Sequence, residues 1–449
     1  MQPASSSLDA QWPDLVAAVS AAIDLEATAR TSGALVRRRE IRSAEALLRL
    51  ALAYGPGGLS LRMAAAWAGV SGLADLSDTA AMNRLRKAAD WLGEIAGALL
   101  RRAAAEPQSA SPPAGPLPGR RLRIADASVV TRPGSVGPDW RLHATYDPTA
   151  GRFTNLELTD RGGAESFGRT AWCAGDVAIG DRDYARPPGL RQILAAGAEF
   201  IVRTGWKQLR LLDADGAPVA WEPIFDPLAP GEVAERTVMI DHSGKGRRSR
   251  GEAVFPARLI VLRLSPEAAA RAAKAVHRKH SRRYARKLLL PLTVRAAGYL
   301  MVVTSLPASV PAAEVLAAYR LRWQIELAFK RLKSLLGFNR PPAKGEALAR
   351  SWLLAHLVFA LLIDDTAQDL LAVPPSTTCS ARGLPSPLAL ADGADAARRS
   401  PRRRSRRADR RPPARRRCPA RRAPPRATTT ATLPVRPSKR TRQCLSWRR

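Results

Sequence analysis

The apolar periodicity that a packed fold requires runs from Leu15 to Leu371 and stops beyond Pro374, so whatever folds here folds before that point. Past it, Ala, Arg, Pro and Ser dominate without any period, a composition typical of disorder. Of the 72 Lys and Arg, 21 lie between Arg398 and Arg449 against one acid, Asp409, so most of the net charge of +33 belongs to the tail. The body is still basic, which points to a polyanionic partner and excludes a basic one. Two origins fit the tail: a native nucleic-acid-binding extension, or a GC-rich coding region that slipped frame near Pro375. Three of the four cysteines, Cys379, Cys418 and Cys444, fall in it, as expected of sequence not selected for a fold. With Cys173 they form no close pair that would suggest zinc or redox chemistry, and a reducing compartment follows. Met1 to Asp24 has no basic start followed by an apolar run. The longest apolar run, Trp352 to Ile363, is interrupted by His356 and is too short to span a bilayer. The expectation is a cytoplasmic protein with no membrane partner and a buried helix at that run.

With 449 residues and 46% apolar composition, the chain can build a large core. From Leu15 to Ala105 apolar residues recur every three or four positions, which predicts a helical region. Within it, Ser60 and Ser77-Asp78 are placed to cap two helices separated by a turn at Gly69 to Ser71, the later one carrying Arg84, Arg86 and Lys87. That layout is helix-turn-helix-like, with an ordinary helical bundle as the alternative. Glu106 to Gly119, with five prolines, is a linker. Strands are then predicted at Arg121–Val130, Trp140–Tyr146, Arg152–Leu158, Val177–Gly180, Glu199–Thr204, Gln208–Leu212, Ala220–Phe225, Arg236–Ile240 and Leu259–Leu264. A basic helix follows from Pro266 to about Lys287, and further helices cover Ala312–Leu336 and Gly345–Leu371.

The segment from Tyr319 to Lys333 reads YRLRWQIELAFKRLK. At about 100° per residue, Arg322, Glu326, Lys330 and Lys333 fall within roughly 80° of one another on the side of Tyr319. Ile325, Phe329 and Leu332 lie opposite, so the helix can pack its back while presenting a polar stripe. A Glu326–Lys330 pair on a solvated face would look the same. The spacing Tyr, two residues, Arg, three residues, Glu, six residues, Lys closely resembles the signature helix of bacterial insertion-sequence transposases of family four, the Tyr-Arg-Glu-Lys type of DDE transposase. In RLRIADASVV, Asp126 is a charged residue inside an apolar strand, followed by small residues as in the family's first motif. In Gly180-Asp181-Arg182-Asp183-Tyr184 an apolar strand ends on an acid, resembling the family's Asp-Arg-x-Tyr element, with Asp183 in place of the usual small residue.

The resemblance implies that Asp126, Asp181 and Glu326 are the catalytic and metal-ligating acids, holding two Mg²⁺ ions, with Mn²⁺ as a substitute. In-line displacement at phosphorus is served by two such ions about 3.5 to 4 Å apart, and hard cations take oxygen ligands. Tyr319, Arg322, Lys330, Lys333, Arg182 and Tyr184 are then DNA-binding residues. His143 is placed either near the metals or structurally. Asp160 and Glu165 are read as surface-loop residues, with a network supporting the acids as the alternative; His277 and His280 as part of a basic DNA-facing helix, with a solvated charge run as the alternative; and Trp206, Trp221 and Tyr299 as core residues, with the clamping of a flipped base as the alternative.

The implied fold class is α/β: a ribonuclease H-like catalytic core with a β-rich insertion, an all-α N-terminal domain and a disordered C-terminal tail. Residues 1–105 make the helical DNA-end-binding domain and 106–119 the Pro-rich linker. The core spans 120–198 and 312–373, the insertion with its basic helix 199–311, and the tail 374–449. The implied function is cut-and-paste DNA transposition: binding transposon ends and catalysing metal-dependent cleavage and transfer, as a homodimer on end and target duplexes, associated with the nucleoid. A decayed, non-catalytic derivative that represses by occupying ends is the alternative; a stand-alone nuclease of the same fold is a third reading.

Overall fold

The computed structural model describes residues 12–105, 115–241, 254–283 and 288–372. The cysteine-bearing tail, most of the linker and Lys287 lie outside these residues. Residues Met1–Pro374 form one compact unit, and the second unit, Pro375–Arg449, lies outside the described residues.

Six helices open the chain: α1 (Trp12–Ser20), α2 (Leu25–Thr31), α3 (Ala44–Tyr54), α4 (Leu61–Val70), α5 (Asp78–Lys87) and α6 (Ala89–Ala105). Four of the six starts have a chemical cause. Asp24, Ser43, Ser60 and Ser77 accept the backbone N–H three residues on, as N-caps do. Gly72, at φ +67°, turns the chain between α4 and α5, a conformation that only glycine adopts cheaply.

A nine-stranded mixed sheet follows, made of β1 (Arg121–Val130), β2 (Trp140–Asp147), β3 (Arg152–Asp160), β4 (Asp176–Gly180), β5 (Glu199–Thr204), β6 (Arg210–Leu212), β7 (Val233–Asp241), β8 (Val254–Arg263) and β9 (Tyr299–Thr304). Its order is β3-β2-β1-β4-β5-β9-β8-β7-β6, parallel at β1-β4 and β4-β5 and antiparallel elsewhere. Between strands lie α7 (Pro187–Ala195), α8 (Glu222–Phe225), α9 (Pro266–Arg283) and α10 (Pro291–Ala296); α11 (Ala312–Arg320), α12 (Trp323–Ser334) and α13 (Glu346–Ala372) close the described chain. Both faces of the sheet are covered. Ile124, Val177, Ile179 and Ile201 belong to a core shared with the helices at both ends of the chain, whereas Ala125, Ala178, Phe200 and Val202 belong to the core of the opposite face. Double-sided burial makes these strands read as apolar runs rather than alternations.

Three expectations are corrected. Ala220–Phe225 is not a strand, because Pro223, which lacks an N–H, sits in the first turn of α8. Tyr299–Thr304, not anticipated as a strand, is β9 and joins β5 to β8. The helix expected over Ala312–Leu336 is two: the Arg322 and Gln324 N–H groups bond three residues back, to Tyr319 and Leu321, and this tighter turn separates α11 from α12.

Helix α13 packs into the N-terminal helices, its Ser351 hydroxyl donating to the Leu85 carbonyl of α5 at 2.5 Å. Its Glu346–Asp364 stretch is longer than the run noted in the sequence and is long and apolar enough to cross a membrane, but 72% of it is buried inside the fold. Inside it, His356 is 1% exposed, stacks on Trp352 and meets the Trp352 carbonyl through Nδ1 at 2.8 Å. Burial first of all lowers its pKa from 6.5 to about 4. His143, 2% exposed on β2, is also lowered to about 4, chiefly by burial and then by Arg169 and Arg141. Between those values the unfolded chain binds protons that the folded chain does not, so stability is fully present above pH 6.5 and falls as the pH drops toward 4. Each histidine contributes up to about 3 kcal/mol to that loss. Urea unfolding at pH 7 and pH 4.5 should therefore show a smaller acid loss for His356→Phe than for the parent, against a background in which Asp126, raised by burial to about 7, gains stability over the same range; a pH dependence unchanged by the substitution contradicts the assignment.

Candidate active site

Strands β1 and β4 run side by side in parallel, with Ala125 opposite Gly180. One residue further along lie Asp126, still within β1, and Asp181, the first residue beyond β4. The Asp181 carboxylate accepts the Asp183 N–H at 2.8 Å and so caps the short turn over Arg182–Tyr184. Gly180 is required just before it: a Cβ there would stand 2.5 Å from Phe167 Cζ and 2.8 Å from Tyr184 Cβ. Gly180→Ala should cost roughly 1–3 kcal/mol in denaturant unfolding, because Phe167 and Tyr184 are buried and cannot both yield. A neutral substitution would show that this contact is not tight.

Helix α12 lies against β1 and brings Glu326 to it. The Arg322 guanidinium bonds the Glu326 carboxylate and stands 3.5 Å from the Asp126 carboxylate, so one cation links acids 200 residues apart in sequence. Asp126 also accepts its neighbour Ala127's N–H at 2.7 Å. Burial raises its pKa to about 7, against the pull of that hydrogen bond; nearby Asp181 raises it further and Arg322 lowers it. Asp126, Ser128 and Glu326 line an open cleft of about 770 Å³ whose other walls include Lys330, Lys333 and Arg340. Lys333 is tied to this end of the cleft by donating to the Val129 carbonyl at 3.1 Å.

Asp181 belongs to a second acidic grouping. Carboxylate oxygens of Glu165, Asp181 and Asp183 lie within 4.8 Å of one another. Neither Asp126 nor Glu326 is a member of that group, so the three acids singled out in the sequence are brought to neighbouring positions rather than into one such cluster. Glu165, expected on a surface loop, is mostly buried, paired with Arg141 at 3.2 Å, and held above its usual pKa by burial against the pull of Arg141. Asp160 is exposed as expected. His143 sits opposite Ala127 on the adjoining strand, with Nε2 3.0 Å from the Thr159 hydroxyl.

Among the expected DNA contacts, Arg182 is exposed at the turn, and Arg322, Lys330 and Lys333 reach the cleft or its acids. Tyr184 is different: it is 2% exposed and packs on Phe167 with ring centroids 4.9 Å apart. Tyr319 is 7% exposed and burial raises its pKa, while the fields of Arg203 and Arg322 act on it in the opposite sense. Arg203 is the residue that sequence reasoning missed. Its strand partner at the level of Asp181 is β4, its buried Nε has no hydrogen-bond partner among the described residues, and its charge lowers the pKa of Arg182 after burial itself. Like charges held together beside acids suit a polyanion's phosphates. The available signal was a cation inside the apolar strand EFIVRT, the same kind of signal that picks out Asp126.

The family described as transposase DDE domain matches residues 117–363. The putative transposase InsL for insertion sequence element IS186A of Escherichia coli (strain K12) is 43% identical over 371 residues, 82% of this chain and 97% of that protein. The transposase for insertion sequence element IS421 of Escherichia coli is 43% identical over 372 residues, with the same shares covered. The transposase for insertion sequence element IS231E of Bacillus thuringiensis subsp. finitimus is 27% identical over 251 residues, covering 48% of this chain and 50% of that protein.

Proposed function

The chain belongs to the transposase DDE domain family of bacterial insertion sequences, and from that premise we propose that it is a cut-and-paste enzyme that binds the ends of its own element and uses Asp126, Asp181 and Glu326 for metal-dependent strand cleavage and transfer. The observation that carries the assignment is the Arg322 bridge: a guanidinium from the start of α12 joins the acid on β1 to the acid on α12 at a cleft lined with Lys330 and Lys333. The strand order β3-β2-β1-β4-β5, antiparallel on one side of β1 and parallel on the other, supports a ribonuclease H-like core at this site.

The donor set fits Mg²⁺, with Mn²⁺ as a substitute. All donors are carboxylate oxygens, as hard divalent cations require, and a carboxylate that burial holds near pKa 7 is one whose charge lacks compensation that a cation would supply. Asp126, Asp181 and Glu326 would hold two ions, with Glu165 and Asp183 close to Asp181. Held by these carboxylates, such ions would supply the positive charge that in-line displacement at phosphorus needs at the attacking and leaving oxygens. The protein's own groups do the positioning. Arg322, Lys330, Lys333, Arg182 and Arg203 hold phosphates beside the acids, and the buried Tyr184 and Tyr319 fix the turn and helix that present them. End recognition falls to α5: Thr79, Asn83, Arg86 and Lys87 are exposed, lie on one face at about 100° per residue, and include groups able to read base edges. In this reading the chain acts as a homodimer on end and target duplexes.

The test is a linear duplex carrying the element's terminal sequence, incubated with the full chain in Mg²⁺ or in chelator. A cut at the element's end that appears only with metal is the expected result. Binding to the end without cutting in either Mg²⁺ or Mn²⁺ would overturn the enzyme assignment in favour of an end-occupying repressor.

A further inference from the structure

Helix α9 (Pro266–Arg283) is not used by the site just described, yet its charge is arranged rather than scattered. At about 100° per residue, Arg271, Lys274, Arg278 and Arg282 fall within roughly 80° on one side, and the stripe runs about 16 Å along the axis. All four are exposed. The opposite side carries Ala269, Ala272, Ala273, Val276 and, near its end, His280, and it is this side that is partly covered: all five are half-buried, with Ala269 beside Gly298 after α10. The helix thus seats its alanine face on the protein and turns these four cations to solvent. Glu267, one turn before Arg271, is the acid of this helix, and among the described residues no carboxylate pairs with Lys274, Arg278 or Arg282.

Its place in the fold is equally defined. Strand β5 is antiparallel to β9, and β9 to β8, so β8 runs in the same direction as β1, β4 and β5. Register carries the level of Asp181 across Arg203 and Val302 to Ile260. The chain leaves β8 three residues later and enters α9, from the same edge of the sheet that bears the acidic site. Three strand spacings separate β4 from β8, about 14 Å, less than the width of a DNA duplex. The stripe contains only Arg and Lys. It has no amide or hydroxyl suited to base edges, in contrast with Thr79 and Asn83 on α5.

We infer that α9 is a sequence-independent clamp on duplex DNA: it grips phosphates of the duplex whose strand occupies the cleft and so extends the footprint without reading sequence. This rests on the chain acting on DNA as proposed above, and the test separates the two. Full-length protein and the Lys274→Ala/Arg278→Ala/Arg282→Ala variant are titrated, in chelator, with a duplex carrying the element's end and with a scrambled duplex of equal length, across a range of salt. Thermal melts check that this exposed variant folds like the parent. The expected result is a loss of tenfold or more for both duplexes alike at low salt. The slope of log affinity against log salt should fall by about 3, since each phosphate contact contributes roughly 0.9. Unchanged affinity and slope would make the stripe a solvated face, and a loss confined to the end duplex would make it a reader of sequence; either result overturns the clamp. Because no metal is present, cleavage can fail while the clamp holds, and the clamp can fail while cleavage in Mg²⁺ persists.

Discussion

Asp126→Asn or Glu326→Gln should slow metal-dependent cleavage of an element end by on the order of 1000-fold, about 4 kcal/mol of transition-state stabilisation. Each substitution keeps the shape of the side chain and removes the charge a divalent cation needs. In Asp126→Asn the fold should survive, since the Ala127 N–H keeps an oxygen acceptor and Arg322 keeps Glu326. End affinity measured in chelator should stay within a few-fold, because a lost carboxylate next to phosphate removes repulsion as well as a ligand. Asp183→Asn is the informative companion: Asp183 shares the acidic group with Asp181 and Glu165 but is exposed on the turn. It should cost much less than Asp181→Asn if the acid at the end of β4 is the ligand. Equal losses at 181 and 183 would place the metal in the Glu165 group, and undiminished cleavage by the Asp126 and Glu326 variants would remove both residues from the chemistry.

What the sequence disclosed, and what it hid, follows from where the information sits. Strands β1 and β5 appear with the bounds read from sequence, and Ser60 and Ser77 cap the helices they were expected to cap, because hydrophobic runs and N-caps are local signals. Strand β9 was invisible for a physical reason. YLMVVT is an apolar run with five of six residues buried, which fits a buried helical segment as well as a strand, and its pairing with β5 and β8 decides between them. In Ala220–Phe225 the β-favouring Trp221, Ile224 and Phe225 outweighed Pro223, whose missing N–H costs nothing in a first helical turn. The site divides the same way. Asp126 and Arg203 are both charges inside apolar strands, but only Asp126 falls within a spaced motif. Glu165 lies in a loop with no period at all, and its closeness to Asp181 arises purely from tertiary packing.

Arg258 shows how much of the site depends on residues remote from it, and its replacement has the second largest expected effect. On β8 it is 8% exposed; Nε bonds the Glu235 carboxylate at 2.8 Å, and its terminal nitrogens donate to the carbonyls of Leu306, Pro307 and Val310 at 3.1, 2.6 and 3.0 Å. Those carbonyls belong to the connection between β9 and α11. Thr304 pins the start of the same connection by donating to the Phe200 carbonyl at 2.7 Å. From there α11 leads directly to Tyr319, Arg322 and Glu326. Arg258→Met preserves the stem but strands the Leu306 and Val310 carbonyls, both in fully buried bonds, and leaves Glu235 without its partner, while the Pro307 carbonyl keeps the Val310 N–H. The expected cost is about 3–5 kcal/mol in denaturant unfolding. Arg258→Lys, with a point charge in place of a planar fork, can satisfy only part of this set and should fall between. If the connection sets where α12 begins, the Lys variant, measured at a temperature where it is fully folded, should also cleave more slowly while binding the end in chelator as the parent does. A Lys variant that is destabilised yet cleaves at the parental rate would confine Arg258 to holding the fold.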